Sequence, residues 1–88
     1  MEISFKKRFI KDLHKIPAQP RNVIEDLVFT TIPQVNTINE LHAIKKIQGF
    51  SSFYRLRIGD YRIGIKITNN KIVCYRVLHR KDIYKYFP

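Results

Sequence analysis

The sequence predicts an α+β fold: a small, mainly antiparallel sheet of about four strands with an N-terminal helical hairpin and a short C-terminal helix or turn. In the first third of the chain, apolar residues recur every three or four positions, the spacing of an amphipathic helix. From Phe53 onward they alternate with polar residues, and two-residue turns interrupt the alternation. The chain therefore changes from a helical period to a strand period near its middle.

The first third predicts one strand and two helices. Residues 2–5 form the strand, an amphipathic helix follows, and Pro17 ends that helix. Pro20 suits the first turn of a second helix, which Pro33 closes. The two apolar faces are expected to consist of Phe5, Phe9, Leu13 and Ile16 in the first helix, and of Val23, Ile24, Leu27, Val28 and Thr31 in the second.

The second half predicts three strands joined by Gly59-Asp60 and Asn69-Asn70, both favourable hairpin turns. Residues 37–48 lack a clear period and are expected to form a loop or a helical turn, with a strand beginning at Ile47. Residues 82–87 are expected to form a short helical turn. The three strands are Phe53–Ile58, Tyr61–Thr68 and Lys71–His79, the last of them predicted to be central, with Val73, Tyr75 and Val77 on one face and Ile72, Cys74 and Leu78 on the other.

Length and composition indicate one folded domain, residues 1–88, with a strong positive charge. Seventeen Lys and Arg against seven Asp and Glu give a net charge of +10, which favours nucleic acid or an acidic protein as the partner. A single cysteine, Cys74, excludes an internal disulfide framework and suits a reducing cytoplasm. We expect neither a signal peptide nor a membrane span.

The predicted hairpin around Gly59-Asp60 places cations opposite each other. Counting outward from the turn, Arg57 faces Arg62 and Arg55 faces Gly64 on the same side. Like charges directly across a sheet are destabilising, so this face is expected to bind an anion such as phosphate. The plainer alternative is a solvated face of the hairpin. Gly64 leaves room for a ligand at the backbone, although glycine in a strand more often marks a bulge.

A second cluster lies where the last strand ends and consists of His79, Arg80, Lys81 and, about one helical turn later, Tyr84. The alternative to a functional role is that His79 is an ordinary surface residue and that Tyr84 is an aromatic ring packed in the core. Neither the histidines, the lone cysteine nor the acids have the spacing of a metal site or a paired-carboxylate site. The residue types that remain favour phosphate chemistry without a metal or cofactor, in which cations act together with a Tyr or a His.

Two motifs in order, YRLRIGDYRIGI at 54–65 and HRKDIYKYF at 79–87, follow the strand and the helical hairpin. In this arrangement the whole chain resembles the RelE/ParE superfamily of type II toxin–antitoxin toxins. The resemblance implies helices covering one sheet face and a basic cleft on the other. It also implies an acidic antitoxin as partner and, for the RelE branch, a ribosome-dependent endoribonuclease that cleaves mRNA. Members of the ParE branch instead inhibit DNA gyrase, which stays open as the alternative.

The resemblance also implies roles for individual residues. In RelE-like ribonucleases, basic residues on both hairpin strands, an arginine after the last strand and a C-terminal tyrosine act together. The family's type member has lysines at two of the matching positions; arginine stays protonated and cannot be a general base, so proton transfer is expected from His79 or Tyr84. The matching residues are Arg55, Arg57, Arg62, Arg80 and Tyr84, with His79 matching a histidine that some members use. Three lysines are expected to make further contacts with RNA phosphates: Lys45, Lys46 and Lys81.

Overall fold

One mixed five-stranded sheet forms the centre of the molecule in the computed structural model, which describes residues 1–88. The strand order is β1-β5-β4-β3-β2, in which β1 and β5 are parallel and the other neighbours are antiparallel. None of the helices is long and apolar enough to cross a bilayer. The elements are β1 (Glu2–Phe5), α1 (Lys7–His14), α2 (Ala18–Asp26), β2 (Ile44–Lys46), β3 (Phe53–Ile58), β4 (Tyr61–Thr68), β5 (Lys71–His79) and α3 (Ile83–Tyr86).

The predicted bounds of four strands are confirmed, and the sheet contains a fifth strand, β2, in the segment for which only a strand start was expected. This strand begins at Ile44, three residues before the expected start at Ile47. Because β2 lies beyond β3, the middle strand of the sheet is β4. The prediction that β5 is the central strand is therefore wrong in position, but β5 is an interior strand between β1 and β4, and helices cover both of its apolar faces, α1 on one side and α3 on the other.

A bulge in β5 changes which of its side chains share a face. Gly64 pairs with Arg76 and Ile65 with Cys74, so Tyr75 is the extra residue. Beyond the bulge the alternation is reversed, and Val77 joins Cys74 on the face that the helices cover. The expected grouping of Val77 with Val73 and Tyr75 is wrong for this reason.

The main core lies between that sheet face and the two N-terminal helical segments. Buried residues from α1 and α2 pack against the inward side chains of β3, β4 and β5. A π-helical turn (Leu27–Thr31) and a 3₁₀ turn (Ile32–Gln34) continue α2. The buried stripe of this segment is Ile24, Val28 and Ile32, so Val23 and Thr31 are exposed, contrary to expectation. The core side chains contributed by the helices and these turns are Phe9, Leu13, Ile16, Ile24, Val28 and Ile32.

An ion pair fixes α1 against the open edge of β5. Because β1 pairs only with Lys71–Cys74, the later residues of β5 have no strand on that side. Asp12 fills this gap: its carboxylate accepts hydrogen bonds from Arg76 Nε at 2.7 Å and from the Val77 N–H at 3.2 Å. This bond to Asp12 raises the pKa of Arg76, although its partial burial acts in the opposite sense. A charge-assisted ion pair therefore takes the place of the strand-to-strand hydrogen bonds that this edge of β5 lacks.

The C-terminal helix α3 packs on the other face of the sheet. Ile83 and Phe87 anchor it, since both side chains are buried. The Phe87 ring lies over Gly64 so closely that a Cβ at Gly64 would be 2.5 Å from ring carbons. The expected short C-terminal helix is confirmed. The expected open approach to the Gly64 backbone is wrong, because Phe87 fills that space.

Candidate functional site

Three guanidinium groups lie on the sheet face that carries α3. The hairpin register pairs Arg57 with Arg62 and Arg55 with Gly64, as the turn predicted. No carboxylate takes part in an ion pair with any of these three arginines. We call this group, Arg55, Arg57 and Arg62, the arginine cluster.

Arg62 is held in place by the backbone of the hairpin turn. Its Nη1 donates hydrogen bonds to the carbonyl oxygens of Gly59 and Tyr61, both at 2.9 Å. Partial burial lowers the pKa of Arg62, and repulsion from Arg55 and Arg57 lowers it further. The guanidinium still stays charged, so an anion placed here would relieve the repulsion among the three.

Tyr84 stands at the edge of the arginine cluster. Its side chain is 60% exposed, whereas the neighbouring Ile83 is fully buried and fixes α3. Tyr84 lines an open cavity of about 310 Å³ together with Lys45, Lys46 and Arg55. The Arg62 guanidinium of β4 belongs to the same cluster as Arg55. The structure therefore brings β2, β3, β4 and α3 together around one basic cleft.

Arg80 joins this cleft from the end of β5. Its backbone N–H donates to the Asp60 carbonyl at 2.8 Å, and its Nε lies 3.8 Å from the Asp60 carboxylate. The charge of Arg80 contributes to the lowered pKa of Arg62. Lys81 is exposed, and its N–H donates to Nδ1 of His79 at 3.2 Å.

His79 does not lie with the arginine cluster. Leu78 pairs with Arg62 across the sheet, so the next residue, His79, faces the opposite side, where it pairs with Tyr61. The two rings are in edge-to-face contact, with centroids 5.8 Å apart. His79 lines a different cavity, beside α1. His79 and Tyr84 were expected to lie together because both are near the end of β5, but alternation along the strand turns His79 to the other sheet face.

Phe87 fixes the end of α3 by packing, a contact that the sequence pattern did not predict. It packs edge-on against Phe53 at 5.4 Å between ring centroids and covers Gly64, thereby holding the end of the helix that carries Tyr84. A glycine within an otherwise regular strand was the available signal, because such a glycine often permits close approach. No group of three His, Cys, Asp or Glu side chains is arranged to hold a metal ion.

The family model described as the ParE toxin of the type II toxin–antitoxin system matches residues 3–84. The chain therefore belongs to the RelE/ParE superfamily of type II toxin–antitoxin toxins, and it is RelE-like.

Individual relatives agree with this assignment. Toxin RelE3 of Methanocaldococcus jannaschii is 45% identical over 89 residues, covering 100% of both chains. A chain in the crystal structure of the RelB–RelE antitoxin–toxin complex from Methanococcus jannaschii superposes with a TM-score of 0.80 at 44% identity, covering 96% of this chain and 98% of that one. The isolated Escherichia coli RelE toxin shares the fold, with a TM-score of 0.66 at 13% identity over 89% of this chain and 82% of that one.

Proposed function

We propose that this protein is a ribosome-dependent endoribonuclease that cleaves mRNA. The observation that carries the proposal is the convergence of the arginine cluster with Arg80 and the exposed phenol of Tyr84 on one open sheet face. Such an arrangement suits a phosphodiester, whose charge increases during cleavage. The similarity to a RelE toxin at 45% identity over the whole chain supports this branch of the superfamily.

The chemistry assigned to the cleft is an in-line transfer within the RNA. The 2′-oxygen forms a bond to the adjacent phosphorus and the bond from phosphorus to the 5′-oxygen breaks, which leaves a 2′,3′-cyclic phosphate and a 5′-hydroxyl. Arg57, Arg62 and Arg80 stabilise the charge on the non-bridging oxygens. Tyr84 donates its phenolic proton to the departing 5′-oxygen, and water accepts the proton of the 2′-hydroxyl.

The remaining cations of the cleft hold the message rather than react with it. Arg55 lines the same cavity as Lys45 and Lys46, and these three are proposed to bind neighbouring phosphates. Lys81 extends the positive surface beyond the end of β5. His79 receives no proton-transfer role in this proposal, because its ring lies on the other sheet face.

The proposed regulator is an acidic antitoxin of the RelB type. The structurally similar RelE chain was crystallised in a RelB–RelE complex. A net charge of +10 on 88 residues suits an acidic partner segment that covers the basic cleft and excludes RNA. Toxicity is then controlled by competition for one surface.

Inhibition of DNA gyrase is the second candidate, because the matching family model is a ParE toxin. Under that function Arg62 and Tyr84 would be ordinary surface contacts without a chemical role. The two candidates therefore differ in what these side chains do.

The deciding experiment incubates the purified protein with ribosomes that carry a short labelled mRNA. We expect cleaved fragments that end in a 2′,3′-cyclic phosphate and begin with a 5′-hydroxyl. A parallel assay measures supercoiling by purified gyrase. Intact message together with inhibited supercoiling would reject the nuclease and favour the gyrase-directed function.

A further inference from the structure

A second basic groove lies between α1 and the open edge of β5, away from the arginine cluster. It is a cavity of about 650 Å³, the largest in the molecule. His79, which lies outside the basic cleft, is one of the residues that line this second groove. The lining residues that matter for its chemistry are Arg8, Lys11, Lys15, Tyr61, His79 and Tyr86.

The cations of this α1 groove are free to bind an anion. Arg8, Lys11 and Lys15 lie three and four residues apart on one side of α1, and all three are exposed. None of them forms an ion pair. The two carboxylates in the groove are already engaged, because Asp12 binds Arg76 and Asp82 lies 3.4 Å from a lysine of α3. The groove thus has uncompensated positive charge.

Aromatic rings stand beside these cations, and one of them is exposed. Tyr86 is 58% exposed, and the guanidinium of Arg76 lies 5.2 Å from the centroid of its ring. Tyr61 and His79, both half-buried, form an edge-to-face pair that also lines the groove. Free cations beside an exposed ring suit phosphates and bases. A bound amphipathic helix needs a continuous apolar floor, whereas the aliphatic side chains that line this groove are buried or half-buried. The groove fits RNA better than an acidic peptide.

We propose that the α1 groove is a second RNA-binding surface, which holds a phosphate backbone of ribosomal RNA while the arginine cluster receives the message. This inference rests on the proposed function, since it names the part of the ribosome that the protein grips. No residue lines both the α1 groove and the cavity beside Tyr84, so the two surfaces are separate. The protein can therefore bind two RNA segments at once.

The test compares two variants that each lose two positive charges. Lys11→Gln/Lys15→Gln alters the groove, and Lys7→Gln/Lys71→Gln is the control, since neither of its lysines lines any cavity. Binding to purified ribosomes is measured across a salt series. For the groove variant we expect weaker binding and a log–log salt slope reduced by about two, roughly one for each phosphate that the variant no longer neutralises. The control should keep the slope of the wild type.

Three results would overturn the proposal. These are equal slopes for groove variant and wild type, equal losses in the two variants, and weakened binding to poly-L-glutamate with ribosome binding unchanged, which would assign the groove to an acidic protein. Circular dichroism confirms that each variant is folded. This test measures binding and not cleavage. If the wild type binds ribosomes but cleaves no message, the nuclease function is rejected, and the salt slope of ribosome binding still decides whether the groove binds RNA.

Discussion

Arg62 combines local structure and charge in one side chain. The carbonyls of Gly59 and Tyr61 satisfy its donors and fix its position. These carbonyls are neutral, so they do not cancel its charge, and Arg55 and Arg57 remain close by. Arg62 is thus preorganised toward an anion, which is the arrangement expected of a group that stabilises developing charge.

Tyr84 and His79 provide the first prediction. Tyr84→Phe removes only a hydroxyl from an exposed ring, so the thermal midpoint should stay unchanged, while single-turnover cleavage should fall by roughly 10²–10⁴-fold. His79→Ala should lose much less when ribosomes saturate both variants, because the imidazole lies on the other sheet face. Equal losses of cleavage rate in the two variants would mean that His79 also takes part in proton transfer.

Cys74 predicts how stability depends on pH. Burial raises the pKa of its thiol from the usual 9.0 to about 12. Between these values the unfolded chain loses this proton while the folded protein keeps it, so the unfolding free energy falls as pH rises above 9. The contribution is roughly 1 kcal/mol per pH unit.

The matched variant for this prediction is Cys74→Ala, which has no thiol to ionise. Urea unfolding of both proteins at a series of alkaline pH values isolates the effect. The stability difference between wild type and variant should shrink as pH rises. Parallel profiles would show that the Cys74 thiol does not contribute.

At the scale of elements, the alternation of apolar and polar residues and the residues of the turns were sufficient to predict the hairpins. The Gly59-Asp60 turn fixed the register of β3 and β4, so every cross-strand pair of that hairpin could be predicted. Gly64 indicated a bulge as one alternative, and the register shift does lie at Gly64 and Ile65. Its extra residue, Tyr75, could not be placed, because β5 is apolar on both sides and either register buries apolar residues. The bounds of β2 were missed because a three-residue strand gives too little alternation to recognise.

The turn before β2 had a usable signal. The carboxylate of Glu40 accepts hydrogen bonds from the backbone N–H groups of Thr37 and Asn36, and these bonds lower the pKa of Glu40. A threonine followed three residues later by glutamate is typical of a helix start. The pattern correctly indicates the 3₁₀ turn Ile38–Glu40.

The contact between Gly64 and Phe87 gives a prediction about α3. Gly64→Ala places a methyl group within the ring of Phe87, so the ring must move and α3 with it. We expect a loss of about 1–3 kcal/mol in the unfolding free energy, as in overpacked cores. Cleavage should fall as well, because Tyr84 is carried on α3.

A double-mutant cycle tests the cause of that loss. In a Phe87→Ala background, Gly64→Ala should be nearly without cost, because the opposing ring is gone. Urea unfolding of the two single variants and the double variant supplies the comparison. An equal cost of Gly64→Ala in both backgrounds would mean that backbone strain, and not Phe87, is responsible.

At the scale of the whole molecule, the sequence predicted which cations lie together better than it predicted the side chains around them. Arg55, Arg57 and Arg62 followed from the hairpin register, and the position of Tyr84 from the family resemblance. The α1 groove could not be predicted, because it depends on Asp12 meeting Arg76, a contact between residues far apart in the chain. The side that His79 faces also depends on a long-range pairing, that of Leu78 with Arg62.

The central claim is that the arginine cluster performs chemistry on message bound to the ribosome. Its most direct test is single-turnover cleavage of mRNA on programmed ribosomes by wild type, Arg62→Ala and the control Lys71→Ala. Lys71 is exposed and lies outside both basic surfaces, so its loss matches the change in charge alone. Thermal unfolding of all three proteins shows whether Arg62 is also needed for folding.

We expect Lys71→Ala to cleave at the rate of the wild type, and Arg62→Ala to cleave roughly 10²–10³-fold more slowly while remaining folded, the effect of removing one preorganised donor from a developing charge. An Arg62→Ala protein that is folded and cleaves at the rate of the wild type would contradict the account.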